Sequence, residues 1–114
     1  MFGWMKRRRA GTDLTPADVA AKLEAGTVTL VDVREPEEFR AGHIAGAVNL
    51  PLSRFDPARL PAGRPIVLHC LSGARSGRAL GLCAGSTADV IGHMAGGIAA
   101  WARDGLPMRR PGAG

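Results

Sequence analysis

The stretch Pro65-Ile66-Val67-Leu68-His69-Cys70-Leu71-Ser72-Gly73-Ala74-Arg75-Ser76 decides the fold and the chemistry of this chain. Ile66 to Leu68 is a short β-branched and apolar run, the pattern of a buried strand. A single cysteine stands at its carboxyl end, followed by a loop of small residues. Arg78-Ala79-Leu80-Gly81-Leu82 then reads as a helix. Strand, tight loop and helix bring successive backbone N–H groups toward one point, which makes an anion-binding nest backed by a helix N-terminus. A thiol placed there is expected to titrate below its free value of about 8.5, because the nest favours the thiolate. Arg75 adds a positive charge nearby. The plainer alternative is a buried structural cysteine, which needs neither a small-residue loop nor an arginine behind it.

Working outward, Thr15-Pro16-Ala17-Asp18 opens a helix: Thr15 caps it, Pro16 suits its first position and Asp18 its positive end. Val19 and Leu23 supply an apolar face, and Gly26 ends it. Val28-Thr29-Leu30-Val31-Asp32-Val33 reads as a strand covered on both faces. Glu35-Pro36-Glu37-Glu38 looks like the first turn of a short helix, with Phe39 pointing inward. Ala47 to Leu50 is a short strand, and Ser53 to Leu60 one or two helical turns interrupted at Pro57. Asp89 to Met94 is a further strand, Gly96-Gly97 a turn, and Ile98 to Arg103 a short helix burying Trp101. Strands alternating with helices imply an α/β fold with a mainly parallel central sheet and helices on both faces. Ligands bind such sheets beyond the carboxyl ends of the strands, where Cys70 stands.

The 114 residues suffice for one domain. The formal charge of +5 describes the ends of the chain. Six of the fifteen basic residues are Lys6, Arg7, Arg8, Arg9, Arg109 and Arg110, which leaves nine against all ten acidic residues in 10–108. A nucleic-acid-binding domain would carry a basic stripe on its folded face, so no nucleic-acid partner is expected. Residues 1–12 read as a flexible basic tail, 13–108 as the domain and 109–114 as a short flexible tail. No apolar run is long enough for a transmembrane helix, and the aromatic and basic tip Met1 to Arg9 would give no stable membrane insertion. The two cysteines, Cys70 and Cys83, sit too far apart across a loop and helix for a disulfide, which points to free thiols and a cytoplasmic setting.

Three blocks carry a family resemblance. Cys70 to Ser76 resembles the C-x-x-G-x-R-S active-site loop of rhodanese-type sulfurtransferases. Asp32-Val33-Arg34-Glu35-Pro36-Glu37-Glu38-Phe39 with Gly42-His43-Ile44-Ala45-Gly46-Ala47 resembles that family's first signature, and Gly96-Gly97-Ile98-Ala99-Ala100-Trp101 with Gly105-Leu106-Pro107 its closing segment. The blocks follow the family's order over most of 13–108. The resemblance implies a single rhodanese-like domain and sulfane-sulfur transfer through a Cys70 persulfide. Leu71, Ser72, Gly73, Ala74, Arg75 and Ser76 would be the binding loop, and Asp32 and Arg34 structural support of the site. The implied partners are a small sulfur donor such as thiosulfate and a thiophilic acceptor, without a cofactor, and a monomer is the expected state.

Two departures touch the substrate. Leu71 stands where many members carry arginine or another polar residue, and Ala74 also replaces what is often polar. Related phosphatases use a loop one residue longer, whereas Cys70 to Arg75 is six residues, so phosphatase or arsenate-reductase chemistry is the lesser alternative. A rhodanese-like binding or redox-sensing module with little turnover is another. His43, His69 and His93 match no zinc spacing, so no metal is expected. His43 reads as a turn-fixing residue. His69 points away from Cys70, as strand neighbours do, which argues against a Cys–His dyad through that pair. Cys83 reads as inert, and His93 receives no role.

Overall fold

The computed structural model describes residues 13–112. They form strands β1 (Asp13–Leu14), β2 (Thr29–Asp32), β3 (Val48–Asn49), β4 (Ile66–His69) and β5 (Val90–Met94). The α-helices are α1 (Pro16–Ala25), α2 (Pro36–Ala41), α3 (Ala74–Leu82) and α4 (Gly97–Arg103). Every pairing in the sheet is parallel, in the order β1-β5-β4-β2-β3. β4 is therefore central, flanked by β5 and β2. The expected tail 1–12 lies outside the described residues.

Local chemistry explains the elements. Thr15 and Asp18 cap α1 reciprocally, each side chain accepting the other's backbone N–H at 3.1 Å, a device typically worth about 1 kcal/mol. Gly26 ends the helix at φ 72°, a left-handed conformation that favours glycine. Ser53 to Leu60 yields two 3-10 turns, Leu52–Arg54 and Pro57–Arg59, with Asp56 capping the second through Ala58 N–H.

The strands alternate between two apolar layers. Leu30 and Val67 face one, with Val19 of α1 and Ile98 and Trp101 of α4. Val31, Val33, Ile66 and Leu68 face the other, with Ala79 and Cys83 from α3 and Leu52, Phe55 and Leu60 at its edge. Each fully buried aliphatic side chain is worth about 1.5–3 kcal/mol, so both layers are needed to hold so short a sheet. Trp101 is core, as expected, with its indole N–H donating to Pro107 O at 2.9 Å.

The structure bears on two further expectations. Phe39 belongs to neither layer: it is half-buried and stacks on the His43 ring, centroids 3.9 Å apart, because α2 buries no residue fully. The expected tail from 109 begins with a paired residue. Arg109 N–H donates to His43 O, and His43 N–H donates to Arg109 O at 2.8 Å. No helix of the described residues is long and apolar enough to cross a membrane.

Candidate active site

β4 delivers Cys70 to the carboxyl edge of the sheet, and α3 begins four residues later, at Ala74. Gly73 is the turning point, at φ 112°, a backbone conformation open to glycine at little cost. The chain thereby closes on the sulfur. Gly73 N–H donates to Cys70 Sγ at 3.1 Å and Ser76 N–H at 3.3 Å, with Ser76 Oγ 3.6 Å away. α3 starts earlier than the run Arg78–Leu82 suggests, and that places the Ser76 N–H in its first turn, where helical N–H groups have no intrahelical partner. Burial of the sulfur pushes the Cys70 thiol up. Hydrogen bonds from the Ser76 hydroxyl and from the N–H groups of Ser76, Gly73 and Ser72 outweigh it and hold the thiol below its ordinary range.

The loop rests on the start of α4. Ile98 N–H donates to Cys70 O at 2.9 Å and Ala99 N–H to Leu71 O at 3.0 Å. Gly97 permits this approach: a Cβ there would lie 2.5 Å from backbone atoms of Cys70 and Leu71. Sequence reasoning saw Gly96-Gly97 only as a turn. The double glycine before an apolar helix was the available signal for a close backbone contact.

Arg75 has a partner that its place in the loop did not suggest. Its guanidinium grips Glu38 of α2 in a two-pronged pair, Nη1 to Oε1 at 2.6 Å and Nη2 to Oε2 at 3.0 Å. The physical reason is the helix dipole: a cation in the first turn of α3 is disfavoured unless an anion offsets it. Glu38 also accepts the backbone N–H of Glu35 at 3.0 Å, so one carboxylate ties together the starts of α2 and α3. The Arg75 hydrogen bonds hold the Glu38 carboxyl down at about 2.

Asp32 and Arg34 pair with each other beneath the loop. Arg34 Nη2 donates to Asp32 Oδ2 at 2.9 Å and to Gly42 O at 2.7 Å, both side chains being buried. The pair anchors the β2 edge to the turn at Gly42, and none of its hydrogen bonds reaches the groups that donate to the Cys70 sulfur. His69 lies opposite Asp32 in the β2–β4 register, with Nδ1 3.2 Å from Cys70 O and Nε2 3.5 Å from Asp32 Oδ2. Burial pushes its imidazole down, against the opposing pull of the Asp32 carboxylate. His43 Nδ1 lies 2.9 Å from Phe39 O, the turn contact its position suggested. Cys83 closes α3 inside the apolar layer, where burial pushes its thiol up. Leu71 projects at the rim, 47% exposed.

A hydrogen-bonded sulfur nucleophile in a loop of short side chains can accept one small electrophilic atom and hold the negative charge that results. Residues 15–104 match the family model described as a rhodanese-like domain. The chain is 43% identical over 96 residues to an uncharacterised protein of Synechocystis sp., covering 82% of this chain and 54% of that protein. It is 40% identical over 87 residues to a sulfurtransferase of Allochromatium vinosum, covering 74% and 80%. A solved structure, a rhodanese-related protein from Thermoplasma volcanium, superposes with a TM-score of 0.76 at 28% identity, over 85% of this chain and 96% of that one. The chain thus spans about half the length of the Synechocystis relative.

Proposed function

Because this chain belongs to the rhodanese-like family, we propose that it is a sulfurtransferase that carries sulfane sulfur on Cys70. The observation that carries this reading is the closure of the loop around a single atom, with Gly73 and Ser76 N–H groups 3.1 and 3.3 Å from Sγ. The Cys70 thiolate attacks the sulfane sulfur of a donor such as thiosulfate. A Cys70 S–S bond forms, the donor's S–S bond breaks, and sulfite leaves with the electron pair. The terminal sulfur of the persulfide carries the negative charge, which N–H groups converging on the loop stabilise. A thiophilic acceptor then attacks that terminal sulfur, and the Cys70 thiolate is released. The balance needs no cofactor. Asp32 and Arg34 support the strand-to-turn geometry and take no part in bond making. A small donor and a cyanide or thiol acceptor are the partners this chemistry implies.

The six-residue interval from Cys70 to Arg75 favours a single sulfur atom over a tetrahedral phosphate or arsenate, which needs a wider cradle. Thiocyanate formation from thiosulfate and cyanide tests the proposal. Cys70→Ala is expected to abolish it, while Cys83→Ala retains most of the rate. Equal loss in two folded variants would remove Cys70 from its assigned place. A protein that forms neither persulfide nor thiocyanate would be a binding or redox-sensing module instead.

A further inference from the structure

His93 stands in the middle of a chain of polar contacts that ends at the nucleophile. Its Nδ1 is 2.8 Å from Ser76 Oγ, and Ser76 Oγ is 3.6 Å from Cys70 Sγ. On the other side, Nε2 is 3.2 Å from Asp13 Oδ1. The sheet makes this arrangement, because Asp13 of β1 is the register partner of His93 in β5. The ring packs beside the start of α3: Cβ atoms added to Gly77 and to the N-cap Gly73 would lie at ordinary contact distances, 3.7 and 4.0 Å, from His93 Cε1. The ring is mostly sheltered, its side chain 13% exposed.

The contacts set the proton positions. An ionised Asp13 carboxylate only accepts, so the Nε2 facing it carries a proton. In the neutral ring that leaves Nδ1 bare. A bare Nδ1 at 2.8 Å competes with Gly73 O at 3.3 Å for the one Ser76 hydroxyl proton, and with that proton on the shorter contact Ser76 Oγ presents a lone pair toward the Cys70 thiol.

We propose that His93, oriented by Asp13, draws the proton of the Cys70 thiol through Ser76. The Cys70 S–H bond breaks and its proton passes to Ser76 Oγ. The Ser76 hydroxyl proton passes to His93 Nδ1. The products are a thiolate and an imidazolium, with no net change in protons. The imidazolium donates Nδ1–H to Ser76 Oγ and Nε2–H to Asp13, while the Ser76 hydroxyl donates to the thiolate. His93 is a positioning residue here, since it acts on the sulfur only through Ser76. Asp13 from β1 and, through Ser76, Cys70 from the end of β4 are the titratable groups hydrogen-bonded into this chain. β4 sets Leu68 beside His93, α3 presents Ser76 and Gly77, and Gly73 stands at its N-cap.

The inference rests on Cys70 working as a thiolate, and its test does not require sulfur transfer. The readouts are the ultraviolet absorbance of the Cys70 thiolate against pH, and the rate of alkylation by iodoacetamide, both in full-length protein carrying Cys83→Ala. His93→Phe is expected to raise the thiolate midpoint by about one pH unit, a tenfold change in the equilibrium. Alkylation below that midpoint slows about as much and recovers at higher pH. Asp13→Asn shifts the midpoint the same way by less. Adding His93→Phe to Ser76→Ala changes little beyond Ser76→Ala alone, because the histidine reaches the sulfur only through that hydroxyl. An unmoved midpoint in folded His93→Phe overturns the proposal, as do additive shifts in the double variant. Should His93→Phe fail to fold, Asp13→Asn decides alone, its side chain being 63% exposed and dispensable for packing. A wild-type protein whose variants shift as expected, yet which forms no thiocyanate, loses the sulfurtransferase reading and keeps this one.

Discussion

Leu71 is 47% exposed at the rim of the Cys70 loop, and Arg75 is bound to Glu38. On the proposed reading, a dianion such as thiosulfate would meet main-chain N–H groups at the sulfur and an apolar side chain at the entrance. Leu71→Arg is expected to lower the thiosulfate KM about two- to fivefold, the range of one screened surface charge contact, with kcat little changed. Initial rates at two salt concentrations check it, since the gain should shrink as salt rises. A KM that stays put would mean that charge at the rim does not select the donor. At this scale the sequence was most legible where chemistry is local. Cys70 ends an apolar run, Gly73 follows in a loop of small residues, and Ser76 closes the motif. The partner of Arg75 was not legible, because Glu38 lies 37 residues away and already makes sense as an acid in the first turn of α2. His93 was missed for the same reason, as its contact with Asp13 spans 80 residues and depends on a strand register.

The element that supports the loop is the start of α4. Its Ile98 and Ala99 N–H groups hold the carbonyls of Cys70 and Leu71, so the cradle and α4 form one unit. Gly97 is where they meet, at φ 59° and with no space for a Cβ. Gly97→Ala should cost about 1–3 kcal/mol from the backbone conformation alone, and more from the collision. It should also slow persulfide formation, because the loop carbonyls must move. Gly81→Ala in α3 is the control. It meets no atom within 4 Å and removes a helix-interior glycine, so stability should rise by about 0.5–1 kcal/mol. Denaturant melts of both variants test the pair, and equal effects would show that Gly97 is an ordinary turn glycine. Sequence periodicity found β2, β4, α1 and α4 because each is bounded by caps, glycines or apolar runs. It passed over β1, whose two residues, Asp13 and Leu14, are too few for any period to show.

Across the whole molecule, the parallel order β1-β5-β4-β2-β3 places the strand that leads into Cys70 at the centre of the sheet. Its carboxyl end is flanked by β2 with Asp32 and by β5 with His93, and it is roofed by the starts of α2, α3 and α4. Alternation of strands and helices implied the parallel sheet and the edge on which the site lies. The spatial order was not legible, because crossovers are decided by packing between layers and leave no mark in composition. What this arrangement achieves is a sulfur held by main-chain N–H groups that short side chains let close in. The most direct test is the intact mass of the protein after thiosulfate treatment and removal of excess donor. Wild type and Cys83→Ala are expected to gain one sulfur atom on Cys70. Arg75→Ala, which frees Glu38 and leaves the cradle, should gain it more slowly. Gly73→Val, which forces a branched side chain onto φ 112° with Gly96 N only 3.4 Å from its Cβ, should gain none. Sulfur uptake by Gly73→Val at the wild-type rate, with none in Arg75→Ala, would contradict a backbone cradle and place the site's affinity in the Arg75 charge.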